Sequence, residues 1–274
     1  SKTLTGAAIM LGLASLLSRI VGVLRDHILA GTFGAGSELD MYTAAFRIPD
    51  FVYSLLIAGA LSAGFIPIFL NLYTKNKKEA WEFTSRVMNT TLIAVSFLCI
   101  LLFIFAPQIL HILVPGFSPA ERATTLSLTR IMILGPLILG LSAVISAVLQ
   151  SLKSFLVYSL APLFYNLGII SGALFLVPRY GIIGLGYGVL LGASLHLLIQ
   201  IPVLFKNGFH YKPLFSWKDK TLQKLFRMMI PRAFTLASTQ TTTLFITSFA
   251  SVLGVGSIAI FNFANNIASL PIGI

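Results

Sequence analysis

Two long apolar runs lie in the second half of the chain, FLVYSLAPLFYNLGIISGALFLV at residues 155–177 and IGLGYGVLLGASLHLLIQIPVLF at residues 183–205. Neither run contains a lysine, arginine, aspartate or glutamate. A helix needs about 20 apolar residues to cross the roughly 30 Å hydrocarbon core of a bilayer. Transmembrane β-strands instead alternate apolar and polar residues over about ten positions, and these runs do not. The two runs therefore predict two transmembrane α-helices.

Runs of this kind recur along the whole sequence. Of its 274 residues, 57% are hydrophobic and only 10% are charged, and the mean hydropathy is +0.92. A soluble domain carries about 25% charged residues, so this composition excludes an ordinary water-soluble globule. We predict an all-α polytopic membrane protein. Its predicted spans cover residues 4–31, 41–72, 83–106, 126–152, 155–177, 183–205, 225–253 and 257–274.

The basic residues are distributed unevenly over the connections between these spans. Twelve lysines and arginines lie before the first span and in every second connection after it, whereas three lie in the alternate connections. Because cytoplasmic loops carry the excess of lysine and arginine, this bias predicts a cytoplasmic N-terminus. The bias also explains the formal net charge of +11 without a nucleic-acid partner, since the sequence has no basic helix face or aromatic–basic nucleic-acid motif.

A short repeat indicates how the spans are grouped. GAGS at residues 34–37 and GVGS at residues 254–257 each follow a span that runs outward from the cytoplasm. Many secondary transporters contain two parallel repeats, so we expect a six-helix N-terminal lobe at 1–205, a basic cytoplasmic linker between the lobes at 206–221, and the first two helices of a truncated C-terminal lobe at 222–274. The alternative is two unrelated helix ends. The chain lacks an initiator methionine and stops inside an apolar run, so we expect an N-terminal fragment.

Costly polar residues form stripes on three spans. A charged side chain near the bilayer centre costs at least about 2.5–3.5 kcal/mol, so it usually faces a cavity or a partner. At 100° per residue, each of the following sets shares one side of its helix: Arg19, Gly22 and Asp26 on span one; Asp40, Arg47 and Asp50 on span two; Arg232, Thr239 and Thr242 on span seven. We expect these stripes to line a hydrated cleft, with the stripes of spans one and seven facing each other.

The arginines of the first two spans indicate the charge of the ligand. Arg19, Arg25 and Arg47 are expected to be uncompensated and to make the cleft positive, which suits an anionic substrate such as a phosphate or a carboxylate. Simpler interpretations remain open. Arg19 and Asp26 could form a structural ion pair, Arg232 could extend to the membrane surface, and the threonines of span seven could bond their own i−4 carbonyls.

Signals for catalysis are weak. His27, His111, His196 and His210 have no metal-ligand spacing and are expected to be packing or interfacial residues. Cys99 is the only cysteine, which excludes a disulfide framework and cysteine-based zinc sites. No nucleophile elbow, P-loop or pair of clustered carboxylates is present. The glycine-rich segment at residues 184–188 follows no strand, so close helix packing explains it better than phosphate binding. We expect neither enzymatic activity nor a cofactor or metal.

Several motifs, most of them in residues 18–67, resemble one transporter family. They are Ser18-Arg19, Gly22, Arg25-Asp26, Phe33-Gly34-Ala35-Gly36, Asp40, Ala45-Phe46-Arg47-Ile48-Pro49-Asp50, Gly59-Ala60-Leu61-Ser62, Phe65-Ile66-Pro67 and Pro115-Gly116-Phe117. Together they are similar to the MurJ/MviN family of lipid II flippases, within the multidrug/oligosaccharidyl-lipid/polysaccharide (MOP) exporter superfamily.

The resemblance implies a fold of fourteen helices, two six-helix lobes plus two more, in the bacterial cytoplasmic membrane. It also implies alternating access that moves undecaprenyl-pyrophosphate-linked peptidoglycan precursor (lipid II) to the outer leaflet. Arg19, Arg25, Asp26 and Asp40 then occupy functional positions, the arginines as pyrophosphate contacts. Coupling to a Na⁺ or proton gradient, or to the membrane potential, would use a site outside this fragment. The implied partners are a lipid-linked anionic substrate and membrane lipids, with no nucleic acid, and the implied functional unit is a monomer.

The sequence departs from the family pattern in ways that affect the substrate. Tyr53-Ser54 replaces an arginine pair, Ala58 replaces an acidic residue, and Asn266 replaces an arginine of the eighth helix. Arg47 or Arg232 could substitute. Alternative functions are a superfamily exporter of another polyprenyl-linked glycan or a drug, and a membrane scaffold of envelope synthesis without transport. The residues predicted to bind substrate are Arg19, Arg25, Asp26, Asp40, Arg47, Arg232, Thr239 and Asn266.

Overall fold

The computed structural model describes the backbone of residues 4–56 and 60–269. Within these ranges every regular element is a helix. In chain order the helices are α1 (Leu4–Phe33), α2 (Ser37–Leu56), α3 (Ala60–Lys75), α4 (Lys77–Leu113), α5 (Pro119–Met132), α6 (Gly135–Ser151), α7 (Phe155–Ser171), a π-helical turn (Gly172–Leu176), α8 (Val177–Tyr180), α9 (Ile183–Leu198), α10 (Ile201–Lys206), α11 (Lys220–Leu253) and α12 (Ser257–Ser269).

These helices match the eight predicted spans in order. The second span comprises α2 and α3, the fourth α5 and α6, the fifth α7, the π-helical turn and α8, and the sixth α9 and α10. Residues 57–59, with the departure at Ala58, and residues 270–274 of the last span lie outside the described residues. Among the described residues, four helical segments are long and apolar enough to cross a membrane: Lys77–Leu113, Pro119–Ser151, Phe155–Tyr180 and Ile183–Lys206. The predicted all-helical membrane fold is therefore confirmed.

Capping residues, and not hydropathy, determine where two of the helices begin. The side chain of Asn76 accepts hydrogen bonds from the backbone N–H groups of Lys78 and Glu79, so α4 begins before its apolar run. Ser118 and Glu121 form a reciprocal capping box at the start of α5. Both helices therefore begin before the spans predicted from residues 83 and 126.

Glycines allow α7 and α9 to pack backbone against backbone. A Cβ atom added at Gly168 would lie 2.2 Å from the Cα atom of Gly192, and one added at Gly172 would lie 2.5 Å from the Cα atom of Gly188. Within the glycine-rich segment, a Cβ atom added at Gly184 would lie 2.5 Å from the backbone carbonyl carbon of Leu176. The packing interpretation of that segment is confirmed, because any side chain at these positions would force the helices apart.

The two segments of the sequence repeat contact each other. A Cβ atom at Gly256, where φ is +89°, would lie 2.1 Å from the carbonyl oxygen of Ala35. Asp40, in the first turn of α2, accepts hydrogen bonds from the backbone N–H groups of Gly256 (2.6 Å) and Ala259 (2.8 Å) at the start of α12. The α1–α2 and α11–α12 turns thus lie at one end of the molecule, which we call the outer end after the orientation that the distribution of basic residues predicts. The division into lobes and the cytoplasmic N-terminus stay predictions.

Candidate substrate-binding site

Two adjoining cavities lie between α1, α2, α7 and α12. The first has a volume of about 390 Å³ and is bounded in addition by α6 and α9, and the second, of about 520 Å³, extends along α1 and α12. Four residues line both cavities: Arg25, Asp26, Phe263 and Asn266. The boundary between the cavities is therefore a charged and polar site.

A hydrogen-bonded network joins three helices at this boundary. The Arg25 guanidinium donates from Nε and Nη2 to Oδ1 of Asp26, at 2.9 and 2.7 Å, and from Nη1 to Oδ1 of Asn166 on α7, at 2.9 Å. Nδ2 of Asn266 on α12 donates to Oδ2 of Asp26 at 2.9 Å. The Arg25 and Asp26 side chains are 22% and 17% exposed, so both reach the cavity surface. Three of the predicted site residues are thus brought together.

The charge of this network differs from the expectation. Arg25 was predicted to be uncompensated, but Asp26 forms an ion pair with it at 2.7 Å, so that prediction was wrong. Neighbouring residues on a helix point 100° apart, yet the long guanidinium side chain turns back to reach the short carboxylate. The sequence also gave no indication of Asn166, because one amide in an apolar run has no periodic partner. Its position at the centre of a predicted span was the available signal.

Arg47 and Asp50 line the first cavity from α2. Arg47 is only 9% exposed, and its Nε donates to Oγ1 of Thr247 on α11 at 2.9 Å. Its Nη2 has no hydrogen-bond partner in the described part of the chain. The two side chains form no ion pair within 4.0 Å among the described residues, although they lie one turn apart. Arg47 instead connects α2 to α11, and α2 remains helical through Pro49.

Aromatic and amide groups make up much of the remaining wall of the first cavity. Tyr42, Tyr53 and Tyr165 line it together with Asn262. Among the histidines, His196 also reaches the wall, where its Nδ1 lies 2.7 Å from Oγ of Ser142. Such a surface can stack on sugar rings and form hydrogen bonds with hydroxyl groups.

Asp40 does not line either cavity. Its side chain is 3% exposed, and its two carboxylate oxygens accept the backbone hydrogen bonds from Gly256 and Ala259 described above. A carboxylate at a helix N-terminus satisfies unpaired N–H groups and interacts favourably with the helix dipole. In this structure Asp40 therefore connects α2 to α12, and the substrate-binding role that the resemblance implies for it stays a prediction.

The polar residues of the predicted α11 stripe do not line the two cavities. Arg232 and Thr239 are exposed and line neither cavity. The Thr239 hydroxyl donates to the carbonyl of Thr235, four residues earlier. The hydroxyls of Thr241, Thr242 and Thr243 likewise each donate to the carbonyl four residues earlier. Arg19 lines the second cavity opposite Asn266 and Ile267 of α12. The expectation that the stripes of α1 and α11 face each other stays a prediction, and i−4 bonding accounts for the threonine hydroxyls.

Known proteins resemble the chain over most of its length. A family model described as "Lipid II flippase MurJ" matches residues 29–274. The "Probable lipid II flippase MurJ" of Buchnera aphidicola subsp. Acyrthosiphon pisum is 31% identical over 271 residues, which cover 97% of this chain and 53% of that protein. The protein of the same name from Thermotoga maritima is 31% identical over 262 residues, which cover 96% and 53%. The chain thus spans about half the length of the curated relatives it matches.

Solved structures show the same arrangement of helices. A structure titled "Lipid II flippase MurJ, inward closed conformation" matches with a TM-score of 0.81 and 28% identity, over 97% of this chain and 56% of that chain. An outward-facing multidrug resistance transporter of the MATE family, in the MOP superfamily, matches with a TM-score of 0.73 and 17% identity, over 96% and 60%. The second likeness shows the fold alone.

The helices are arranged as in the solved structures of these transporters. The chain belongs to the lipid II flippase MurJ family, because the family model covers most of its length. It is accordingly a multi-pass protein of the bacterial inner membrane.

Proposed function

We propose that the protein, in its full length, is a lipid II flippase that moves undecaprenyl-pyrophosphate-linked peptidoglycan precursor across the cytoplasmic membrane by alternating access. The observation that carries this proposal is the position of Arg25 at the boundary of the two cavities, held by Asp26 and Asn166. Family membership supports the same substrate. The protein acts as a monomer and draws on a Na⁺ or proton gradient or on the membrane potential.

The Arg25 guanidinium retains donors for a pyrophosphate. It has five N–H groups, of which Asp26 accepts from two and Asn166 from one. One N–H group therefore remains on each Nη nitrogen, and Arg19 lies about 9 Å further along α1, on the wall of the second cavity. Phosphate groups bind guanidinium donors of this kind strongly. Arg25 would contact the pyrophosphate, and Arg19 would attract it into the second cavity.

The lipid tail would leave the protein between α1 and α12. Val23 and Ile267 line the second cavity, and both side chains are also exposed on the outside of the helices. Ile20 and Leu24 of α1, which are 55% and 47% exposed, extend the same apolar surface. A polyprenyl chain can remain in hydrocarbon along this surface while its charged headgroup occupies the cavities.

Alternating access requires an end that can open, and the outer end has the contacts for this role. Gly116, just before α5, donates its backbone N–H to Oγ of Ser251 on α11, and Asp40 of α2 accepts from the start of α12. Ser37 of α2 donates to Glu121 of α5, so α2 and α5 are themselves held together. Breaking the Gly116 and Asp40 bonds would separate α11 and α12 from α2 and α5 and open the cavities at the outer end.

One observation favours a second candidate, a superfamily exporter of another polyprenyl-linked glycan. Tyr53 and Asn266 line the first cavity at positions where the family resemblance implies arginines. Asp26 and Asp50 offset the charges of Arg25 and Arg47 in the same wall. A cavity of nearly balanced charge with tyrosine rings also suits a headgroup rich in sugar and poorer in phosphate.

Growth and binding measurements test the proposal. Full-length Arg25→Ala should fail to restore growth in a strain depleted of its own lipid II flippase, although it inserts normally in the membrane. Arg179→Ala, which removes an exposed arginine that lines neither cavity, should restore growth. Purified wild-type protein should bind lipid II more tightly than other polyprenyl-linked glycans. Normal growth with Arg25→Ala would reject the proposed role, and the opposite order of affinities would favour the second candidate.

A further inference from the structure

The connection between α10 and α11, residues 207–219, is held against α4, and we call it the linker. Nδ2 of Asn89 donates to the backbone carbonyls of Lys212 and Leu214, at 3.3 and 2.8 Å. The Tyr211 hydroxyl donates to Oδ1 of the same asparagine at 2.8 Å. Although it contains no helix, the linker therefore has a fixed path along α4.

Ion pairs neutralise the two acidic side chains that contact or belong to the linker. Nζ of Lys212 lies 2.8 Å from Oε1 of Glu82, and Nη1 of Arg86 lies 2.8 Å from Oδ2 of Asp219. Asp219 also caps α11, since its Oδ1 accepts from the backbone N–H of Leu222 at 2.9 Å. Neither carboxylate is left to offset the basic residues that follow.

A basic surface begins where the linker enters α11. Lys218, Lys220, Lys224 and Arg227 are all exposed. The last three are four and three residues apart, so they share one face of the first two turns of the helix. None of the four forms an ion pair within the part of the chain that the structure describes. The surface therefore presents four positive charges to its surroundings, three of them on this face of the helix.

Exposed aromatic side chains lie beside these charges. Phe215 and Trp217 are 45% and 56% exposed, and their rings meet edge to face with centroids 5.4 Å apart. The Trp217 ring also lies beside that of Phe226 of α11, with centroids 6.4 Å apart. Tryptophan is enriched at the membrane–water interface, where its ring can lie among lipid headgroups. We call Phe215, Trp217, Lys218, Lys220, Lys224 and Arg227 the basic–aromatic platform.

We propose that the basic–aromatic platform is a docking surface for the headgroups of anionic phospholipids in the adjoining leaflet. The membrane-spanning segment Ile183–Lys206 ends beside it, and the span predicted at residues 225–253 of α11 begins there. The platform therefore lies at the level of the headgroups, and its charge is complementary to theirs. Because bonds to α4 already fix the linker, lipid binding orders little additional chain. No platform residue lines either cavity, so the surface is separate from the substrate site.

Fluorescence of Trp217 in lipid nanodiscs tests the proposal. The chain contains two tryptophans, so Trp81→Phe, with any tryptophan outside these 274 residues also replaced, leaves Trp217 as the reporter. Nanodiscs contain equal amounts of phosphatidylglycerol and phosphatidylcholine, and only one of the two lipids carries brominated acyl chains that quench tryptophan. We expect quenching about twofold stronger or more when the anionic lipid is brominated. Equal quenching by the two lipids, or no quenching by either, would overturn the proposal.

Substitutions then test whether the named charges cause the preference. Lys220→Gln combined with Lys224→Gln should reduce the ratio of the two quenching values nearly to one. Lys75→Gln combined with Lys78→Gln is the matched control, since it removes two exposed lysines from the α3–α4 turn, outside the platform. This control should keep the original ratio. A ratio lowered equally by both double variants would indicate a nonspecific effect of net charge and would contradict the proposed site.

Discussion

Removal of the Asp40 carboxylate should open the outer end of the molecule. Asp40 is 3% exposed and accepts two backbone hydrogen bonds from the first turn of α12. A hydrogen bond to a charged group contributes about 1.5–3 kcal/mol, so Asp40→Ala should weaken the closed arrangement by about 3 kcal/mol or more. Since 1.4 kcal/mol corresponds to a tenfold change in an equilibrium constant, the ratio of open to closed molecules should rise about 100-fold. Asp40→Asn keeps one acceptor oxygen and should have about half this effect in free energy.

The distance between two spin labels, measured by double electron–electron resonance (DEER), reports this opening. The labels are attached to cysteines at the exposed positions Ala123 of α5 and Val255 of the α11–α12 turn, after Cys99 has been replaced by alanine. Asp40→Ala should add a population with a longer distance. Glu38→Ala is the control, because it removes an exposed carboxylate two residues away on the same helix. Unchanged distances together with weaker lipid II binding would refute this reasoning and make Asp40 a substrate ligand.

Two further substitutions test the packing and the polar connections. Gly168→Ala should lower the Tm by an amount corresponding to about 1–3 kcal/mol, because its Cβ would lie 2.2 Å from Gly192 Cα. Gly12→Ala is the control and should leave the Tm unchanged or raise it, because a Cβ at residue 12 has no neighbour within 4 Å. Equal losses of Tm in the two variants would contradict the proposed packing of α7 against α9. Thr247→Val should cost about 1.5–3 kcal/mol of stability, because it leaves the Arg47 Nε without its acceptor. Thr243→Val removes only an i−4 bond and should change the Tm little, so a similar loss in the two valine variants would show that the Arg47 contact contributes nothing.

The apolar runs predicted the helices well, because a bilayer requires long uninterrupted apolar segments. Periodicity was less informative about the neighbours of each helix. It correctly placed Arg232 and Thr239 on one side of α11, but which helix faces that side depends on how the whole bundle packs. The same limit applies to Asp40, whose partners are backbone N–H groups 216 and 219 residues away. Backbone groups leave no trace in a side-chain pattern.

The candidate site was predicted in part. Arg25, Asp26 and Asn266 lie together, whereas Asn166 was missed and the charge of Arg25 was misjudged. A helical projection treats each side chain as a point on a circle, and it takes no account of the reach of a guanidinium group. The Arg47–Thr247 bond was missed for a different reason. It joins residues 200 apart in sequence, and nothing in either segment identifies the other.

Photocrosslinking of lipid II in living cells tests most directly whether the headgroup passes between α1 and α12. A photoreactive amino acid is placed in the full-length protein at Phe263, which lines both cavities, or at Thr239, which is exposed on α11 and lines neither. After illumination, labelled lipid II should be attached to the protein with the probe at residue 263 and nearly absent from the protein with the probe at residue 239. Equal or stronger attachment at residue 239, or none at residue 263, would contradict the assignment of these cavities to the substrate.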